Sequence, residues 1–89
     1  ALGLDLAVFL EIEVLPSKME TVAKAISEMD ETAIVYQMTG PTVLHVHLFV
    51  ENDKKLSQLL NEKIYPLDGI VSTSVYMLLK DYKTKLNIK

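Results

Sequence analysis

The chain contains 89 residues, of which 49% are hydrophobic and 24% are charged, with a formal net charge of −3 and no cysteine. The length fits one domain spanning residues 1–89, and the composition excludes intrinsic disorder. The missing cysteines exclude disulfides, thiolate metal sites and thiol nucleophiles. No apolar run reaches the roughly 20 residues of a membrane span. No signal peptide is visible, and we expect a cytoplasmic protein with no membrane partner.

The first two predicted elements are a strand and a helix. Residues from Leu6 to Val14 alternate between an apolar face and a mixed face, which is typical of a strand with one buried side. Pro16 ends this strand, and Ser17 with Glu20 matches a capping box that begins a helix. Apolar residues then recur at helical spacing and predict one buried stripe, formed by Met19, Val22, Ala23, Ile26 and Met29.

The next segment predicts a β-hairpin. Residues 32–39 and 42–50 are rich in β-branched and aromatic residues, and only Gly40-Pro41 separates them. Alternate residues of the second strand, from Leu44 to Val50, are apolar. Both strands of this hairpin are therefore expected to join the same sheet as the first strand, with one face of that sheet buried.

A second helix and a fourth strand complete the pattern. Asn52 or Asp53 is placed to cap the helix, and its predicted buried residues are Leu56, Leu59, Leu60 and Ile64. The fourth strand is predicted over residues 70–79. Residues 81–89 are polar and lysine-rich, and they predict a tail.

The order β-α-β-β-α-β predicts a ferredoxin-like α+β fold, with a four-stranded antiparallel sheet and two helices on one face. Right-handed crossovers give the strand order 4-1-3-2. The other sheet face is then uncovered and carries Phe9, Val43 and Phe49, with Tyr36 or Tyr76 beside them. An exposed face with aromatic residues predicts a partner.

Five short motifs follow one another along the chain: Leu2-Gly3-Leu4-Asp5-Leu6, Pro16-Ser17-Lys18, Met38-Thr39-Gly40, Leu67-Asp68-Gly69-Ile70 and Thr73-Ser74-Val75-Tyr76. In this order they resemble the C-terminal effector-binding and oligomerisation domain of Lrp/AsnC-type transcription regulators, with residues 1–5 as a connector remnant. One stretch departs from the family pattern. The family's acidic stretch after the hairpin glycine is replaced here by Pro41-Thr42-Val43.

The resemblance implies a regulatory domain that binds a small molecule such as an amino acid. The residues implied at the effector site lie at the hairpin and in the last strand, the latter contributed by a neighbouring subunit: Thr39, Gly40, Pro41, Thr42, Val43, Thr73, Ser74 and Tyr76. The resemblance also implies homodimers that assemble further, often as a ring of four dimers. DNA would be contacted only through a helix-turn-helix domain outside these residues. The alternative is that the hairpin is a plain turn and the last strand an ordinary strand.

Two histidines and two glutamates are predicted on the uncovered face. His45 and His47 share one side of their strand, and Glu11 and Glu13 lie beside them on the first strand. We interpret them as polar cross-strand pairs in a dimer interface formed by Phe9, Glu11, His45, His47 and Phe49. The alternative is a metal or catalytic site.

The sequence contains no P-loop, no dinucleotide fingerprint and no Ser-His-Asp arrangement, so neither a cofactor nor an enzymatic activity is predicted. Two functional alternatives remain open. One is a dimeric α+β barrel enzyme that uses His45 or His47, and the other is an oligomerisation domain without a ligand.

Overall fold

The computed structural model describes residues 5–40 and 42–83 of the chain. They form β1 (Leu6–Val14), α1 (Met19–Ser27), β2 (Thr32–Gln37), β3 (Val43–Val50), α2 (Asp53–Leu59) and β4 (Ile70–Met77). The sheet has the order β2-β3-β1-β4, and every neighbouring pair is antiparallel. The predicted ferredoxin-like α+β fold and its strand order are confirmed. Most of the expected connector, Pro41 and the end of the expected tail lie outside the described residues.

One face of the sheet packs against the helices and forms the core. Alternate residues of β1 and β3, from Val8 to Val14 and from Leu44 to Val50, are at most 3% exposed. The predicted stripes of both helices close this core, and their buried members are Met19, Val22, Ile26, Leu56, Leu59, Leu60 and Ile64. Burial of each large apolar side chain contributes roughly 1.5–3 kcal/mol relative to exposure. The alternation seen in the sequence therefore fixes which sheet face the helices cover.

The start of α1 differs from the predicted capping box. Pro16 opens a 3₁₀ turn (Pro16–Lys18), in which the Lys18 amide donates to the Leu15 carbonyl at 2.8 Å. Ser17 therefore lies inside this turn, and Lys18 takes the N-cap position without a side-chain cap. Proline is favoured at the first position of a helical turn, which explains why the turn begins before the serine.

The start of α2 agrees with the sequence. Asn52 has an extended backbone, and its side-chain oxygen accepts from the Lys55 amide at 2.8 Å. The helix then continues as one π-helical turn (Leu60–Ile64), marked by the Tyr65 amide donating to the Leu60 carbonyl. This wider turn keeps both Leu60 and Ile64 buried against the sheet.

Strand β4 lies at an edge of the sheet that the helices leave uncovered. Its residues Val75 and Met77 lie opposite Leu10 and Val8, on the helix side of the sheet, but are 38% and 51% exposed. Val71, at a β-bulge in the same strand, is 56% exposed. The strand ends at Met77, two residues before the predicted end, and Leu78 and Leu79 are exposed. The chain therefore has a second exposed apolar strip besides the uncovered face expected from the sequence.

Two glycines adopt a left-handed backbone, and they provide a matched stability test. Gly69 has φ +106°, and a Cβ placed there would collide with the Cβ of Lys18, whereas Gly40 (φ +128°) faces open space. We expect Gly40→Ala to cost the backbone strain alone, about 1–3 kcal/mol. Gly69→Ala should cost about 1–3 kcal/mol more, because the Cβ of Lys18 is fixed to its backbone and cannot turn away. Urea unfolding measures both; equal losses would mean that the Lys18 segment shifts freely.

Candidate functional site

The sheet face away from the helices carries a cluster of rings, which we call the ring face: Phe9, Tyr36, His45, His47 and Tyr76. The Phe9 ring lies at the centre, with centroids 5.8 Å from His45, 5.0 Å from His47 and 5.9 Å from Tyr76. Tyr36 stacks on His45 at 5.1 Å with the ring planes 12° apart. The antiparallel register creates this cluster by placing Phe9 opposite both His47 and Tyr76.

Hydrogen bonds tie the edges of the ring face together. The Tyr36 hydroxyl and His47 Nε2 are 3.2 Å apart, and the Tyr76 hydroxyl donates to Glu11 Oε1 at 3.4 Å. His45 Nδ1 is buried and has no hydrogen-bond partner in residues 5–40 and 42–83. Glu11 lies directly opposite His45 on the neighbouring strand. The ring face thus combines apolar area with a few polar atoms, as protein interfaces commonly do.

An open groove of about 310 Å³ lies beside the hairpin, and we call it the hairpin groove. Its described lining residues are Glu11, Met38, Thr39, Gly40, Thr42, Val43 and His45. It therefore brings together four of the five effector residues expected at the hairpin; the fifth, Pro41, is not described. Glu11 is the only carboxylate among these lining residues, and none of them is a lysine or arginine. The groove is a concave and predominantly apolar surface with a single negative charge.

None of the three expected effector residues of β4 lines the hairpin groove of its own chain. Ser74 lies opposite Glu11, and Tyr76 lies opposite Phe9 in the ring face. Thr73 lies opposite Ile12 on the helix side of the sheet, and its hydroxyl is buried with no partner among the described residues. Strand β1 lies between β4 and the hairpin strands, and within the chain Tyr76 approaches the groove only through its contact with Glu11.

Sequence reasoning placed Glu11 and His45 in the dimer interface and did not connect Glu11 or Met38 with the effector site. The signal for Glu11 was available, because the predicted strand order places β1 beside β3. Met38 carried no signal, because its exposure depends on β2 ending at Gln37.

The metal alternative gains no support from this arrangement. Within residues 5–40 and 42–83, no three His, Asp or Glu side chains come together as metal ligands would. Glu13 is exposed and lies opposite Val43, not a histidine. His47 lies between Phe9 and Tyr36, where the neighbouring groups are rings.

A second, smaller concavity of about 240 Å³ lies at the opposite end of the ring face. It is lined mostly by apolar side chains, including Phe9, Phe49, Met77 and Leu78. Phe49 itself is 51% exposed. The two ends of the face therefore differ: the hairpin end carries a carboxylate, and the far end is apolar.

In the described part of the chain no helix is long and apolar enough to cross a membrane.

The structure is a small ferredoxin-like α+β domain with one uncovered sheet face and a groove at its hairpin. The model of the Lrp/AsnC ligand binding domain matches residues 7–88, and the chain belongs to this family. The resemblance inferred from the five motifs is confirmed.

A curated relative and two solved structures agree with this assignment. The HTH-type transcriptional regulator Ptr1 of Methanocaldococcus jannaschii is 30% identical over 82 residues, which are 92% of this chain and 55% of that protein. The chain spans about half the length of the curated relatives it matches. AsnC of E. coli superposes with a TM-score of 0.86 at 22% identity, over 96% of this chain and 58% of that one.

The second structure is a transcriptional regulator from Neisseria meningitidis, solved in complex with L-Met. It superposes with a TM-score of 0.84 at 17% identity, over 98% of this chain and 58% of that one. At such identities these two likenesses show the shared fold alone.

Proposed function

We propose that this domain senses an amino acid in the hairpin groove and acts as the regulatory part of a transcription regulator. The observation that carries the proposal is the groove itself, which gathers the hairpin residues Thr39, Gly40, Thr42 and Val43 around one open cavity. Its volume is at the lower end of small-molecule sites, which suits a ligand of amino-acid size. The regulator from Neisseria meningitidis that shares this fold was solved with L-Met.

The rest of the regulator supplies the contact with DNA in this proposal. Ptr1 is a helix-turn-helix regulator, and this chain corresponds to about half of it. The net charge of −3 suits a domain that leaves DNA binding to another part of the protein. Effector binding would then shift the relative positions of the DNA-binding domains, which is allosteric coupling between two sites. Such a regulator acts in the cytoplasm.

The ring face is the proposed dimer interface, with Phe9, Glu11, His45, His47 and Phe49 in contact with a second copy. Phe9 and Phe49 lie on the face that the helices leave uncovered; Phe9 is partly exposed and Phe49 is 51% exposed, so both keep surface that a second copy can cover. Dimers would assemble further through the hairpin and the end of β4, up to a ring of four dimers. In that assembly Ser74 and Tyr76 reach the effector from a neighbouring chain, whereas Thr73 faces the helix side of its own sheet.

Calorimetric titration of the chain with each of the twenty amino acids tests the effector proposal. We expect saturable heats for a small subset of apolar amino acids, because Met38 and Val43 form the walls of the groove. Light scattering in the same samples should report a change in particle size, since a ligand bound between subunits is linked to their assembly. If the folded chain binds none of the twenty, the domain is an oligomerisation domain without an amino-acid effector.

The enzyme alternative is disfavoured by the environment of the two histidines. The His45 ring is stacked between Phe9 and Tyr36, and its Nδ1 is buried. His47 shares its Nε2 with the Tyr36 hydroxyl. The family relatives are transcription regulators, and a non-enzymatic role is the one we propose.

A further inference from the structure

We propose that Glu11 holds the ammonium group of the effector, and that the hairpin groove selects α-amino acids with apolar side chains. This inference rests on the proposed function, since it names the group that recognises the effector in the same groove. Glu11 belongs to the central strand β1, not to the hairpin loop, and it takes the place of the acidic stretch that Pro41-Thr42-Val43 lacks.

The charge of the groove is the first argument. Glu11 is the only carboxylate among the described lining residues, and no lysine or arginine lines the groove. Residues 5–40 and 42–83 also offer Glu11 no cationic partner, because the ion pair seen there joins Lys18 to Asp68. A partly buried carboxylate without a cation attracts one, and the ammonium of an amino acid is a cation of suitable size.

The fixed position of Glu11 is the second argument. Strand pairing on both sides holds its backbone, with His45 opposite on β3 and Ser74 opposite on β4. The Tyr76 hydroxyl reaches Glu11 Oε1 at 3.4 Å, a long contact for an O–H donor. The other carboxylate oxygen has no partner within the described chain and remains available to a ligand. The backbone of Glu11 is therefore fixed before binding, which reduces the entropic cost of recognition.

The remaining lining residues match the other parts of an amino acid. The hydroxyls of Thr39 and Thr42 are donors that can bind a carboxylate. Met38 and Val43 are apolar, and Met38 is 60% exposed, so a ligand side chain can cover it. Unbranched methionine adapts its shape to apolar ligands. The combination of one acid, two hydroxyls and two apolar walls selects an apolar amino acid over an amine or an acid alone.

The ring face leaves room for both proposed roles. Glu11 and His45 lie in the row of the sheet nearer the hairpin, whereas Phe9 and Phe49 lie one and two rows further away. A dimer that packs on Phe9 and Phe49 can therefore leave the groove open at its rim. Glu13 is on the same strand face, two residues along, but it does not line the groove. It provides a matched control carboxylate.

The experiment compares ligands with and without an amino group on two variants of the full chain. The probes are L-leucine and L-methionine, together with 4-methylpentanoate and 4-(methylthio)butanoate, which are the same molecules without the amino group. We expect the wild-type chain to prefer each amino acid over its deaminated counterpart. Glu11→Gln should weaken binding of the amino acids by about tenfold to a hundredfold and leave the deaminated acids unchanged or tighter.

The controls separate a lost charge from a lost fold. Glu13→Gln removes the same charge from the same strand face and should bind the amino acids like the wild type. Glu11→Asp keeps a carboxylate at position 11 on a shorter side chain and should retain part of the preference for the amino group. Thermal melting by circular dichroism shows whether each variant is folded. If Glu11→Gln does not fold, Glu11→Asp decides, because a shorter carboxylate that holds the ammonium should show a reduced preference for the amino group.

The outcomes distinguish this inference from the proposed function. If no probe binds the wild type, both are wrong. If the amino acids bind and Glu11→Gln binds them equally well, the groove senses amino acids but Glu11 does not hold the ammonium. Equal binding of leucine and 4-methylpentanoate by the wild type also overturns the inference, because an ammonium bound to Glu11 must contribute to affinity.

Discussion

Replacing Phe9 with aspartate is expected to leave the chain monomeric at micromolar concentration. Phe9 is the centre of the ring face, within 6 Å of the rings of His45, His47 and Tyr76. Each buried aromatic side chain contributes roughly 1.5–3 kcal/mol, and a twofold interface contains every residue twice. A carboxylate at this place would also be buried among rings without a cation, which is strongly unfavourable.

Sedimentation equilibrium measures this effect, and Val71→Asp is its control. Val71 is 56% exposed at the β-bulge of β4, and it belongs to the exposed apolar strip on that strand. We expect Val71→Asp to remain dimeric. If instead Phe9→Asp is dimeric and Val71→Asp is monomeric, the dimer interface is the exposed apolar strip on β4 and not the ring face. Urea unfolding of both variants checks that each chain retains its fold.

The fold was predictable because its signals are periodic and local. Alternation over Leu6–Val14 identifies the first strand with its observed bounds, since a side-chain period of two is incompatible with a helix. The handedness of the crossovers then leaves one strand order for this sequence of elements. The helix stripes follow from spacing, as the burial of Val22 and Ile26 shows.

The start of α1 and the end of β4 were predicted less accurately, because neighbouring residues there favour different boundaries. Ser17 and Glu20 form a valid capping box, but Pro16 starts a 3₁₀ turn one residue earlier, and the proline determines where the chain turns. The end of β4 was placed too late because Leu78 and Leu79 are apolar and look like strand residues. Their exposure follows from the width of the helix layer, which is a property of packing and not of local sequence.

The effector groove was only half predictable for a similar reason. The hairpin residues Thr39, Gly40 and Thr42 are adjacent in sequence, so a motif can identify them together. Glu11 joins them through a register between β1 and β3 that pairs it with His45, more than thirty positions away. A sequence places a residue on a strand face, but the neighbouring strand decides whether that residue meets a groove or a partner.

Replacing Met38 with aspartate is expected to dissolve larger assemblies into dimers. Met38 is a large apolar side chain that follows β2 at the hairpin, and 60% of its surface is exposed. Covering it in a contact between dimers contributes roughly 1.5–3 kcal/mol, and a closed ring repeats that contact at every junction. Aspartate removes this contribution and adds a charge to each junction, while the dimer interface on the ring face contains no Met38.

Light scattering coupled to size-exclusion chromatography measures the particle mass. Met38→Leu is the matched control, because leucine has a similar volume and no charge, and it should keep the wild-type assembly. The exposed position predicts a change in folding stability of within about 0.5 kcal/mol for both variants, which urea unfolding can verify. Two results would contradict the expectation. If the wild-type chain is itself only a dimer, no larger ring forms. If Met38→Asp keeps the mass of a larger wild-type assembly, the hairpin is not part of the contact between dimers.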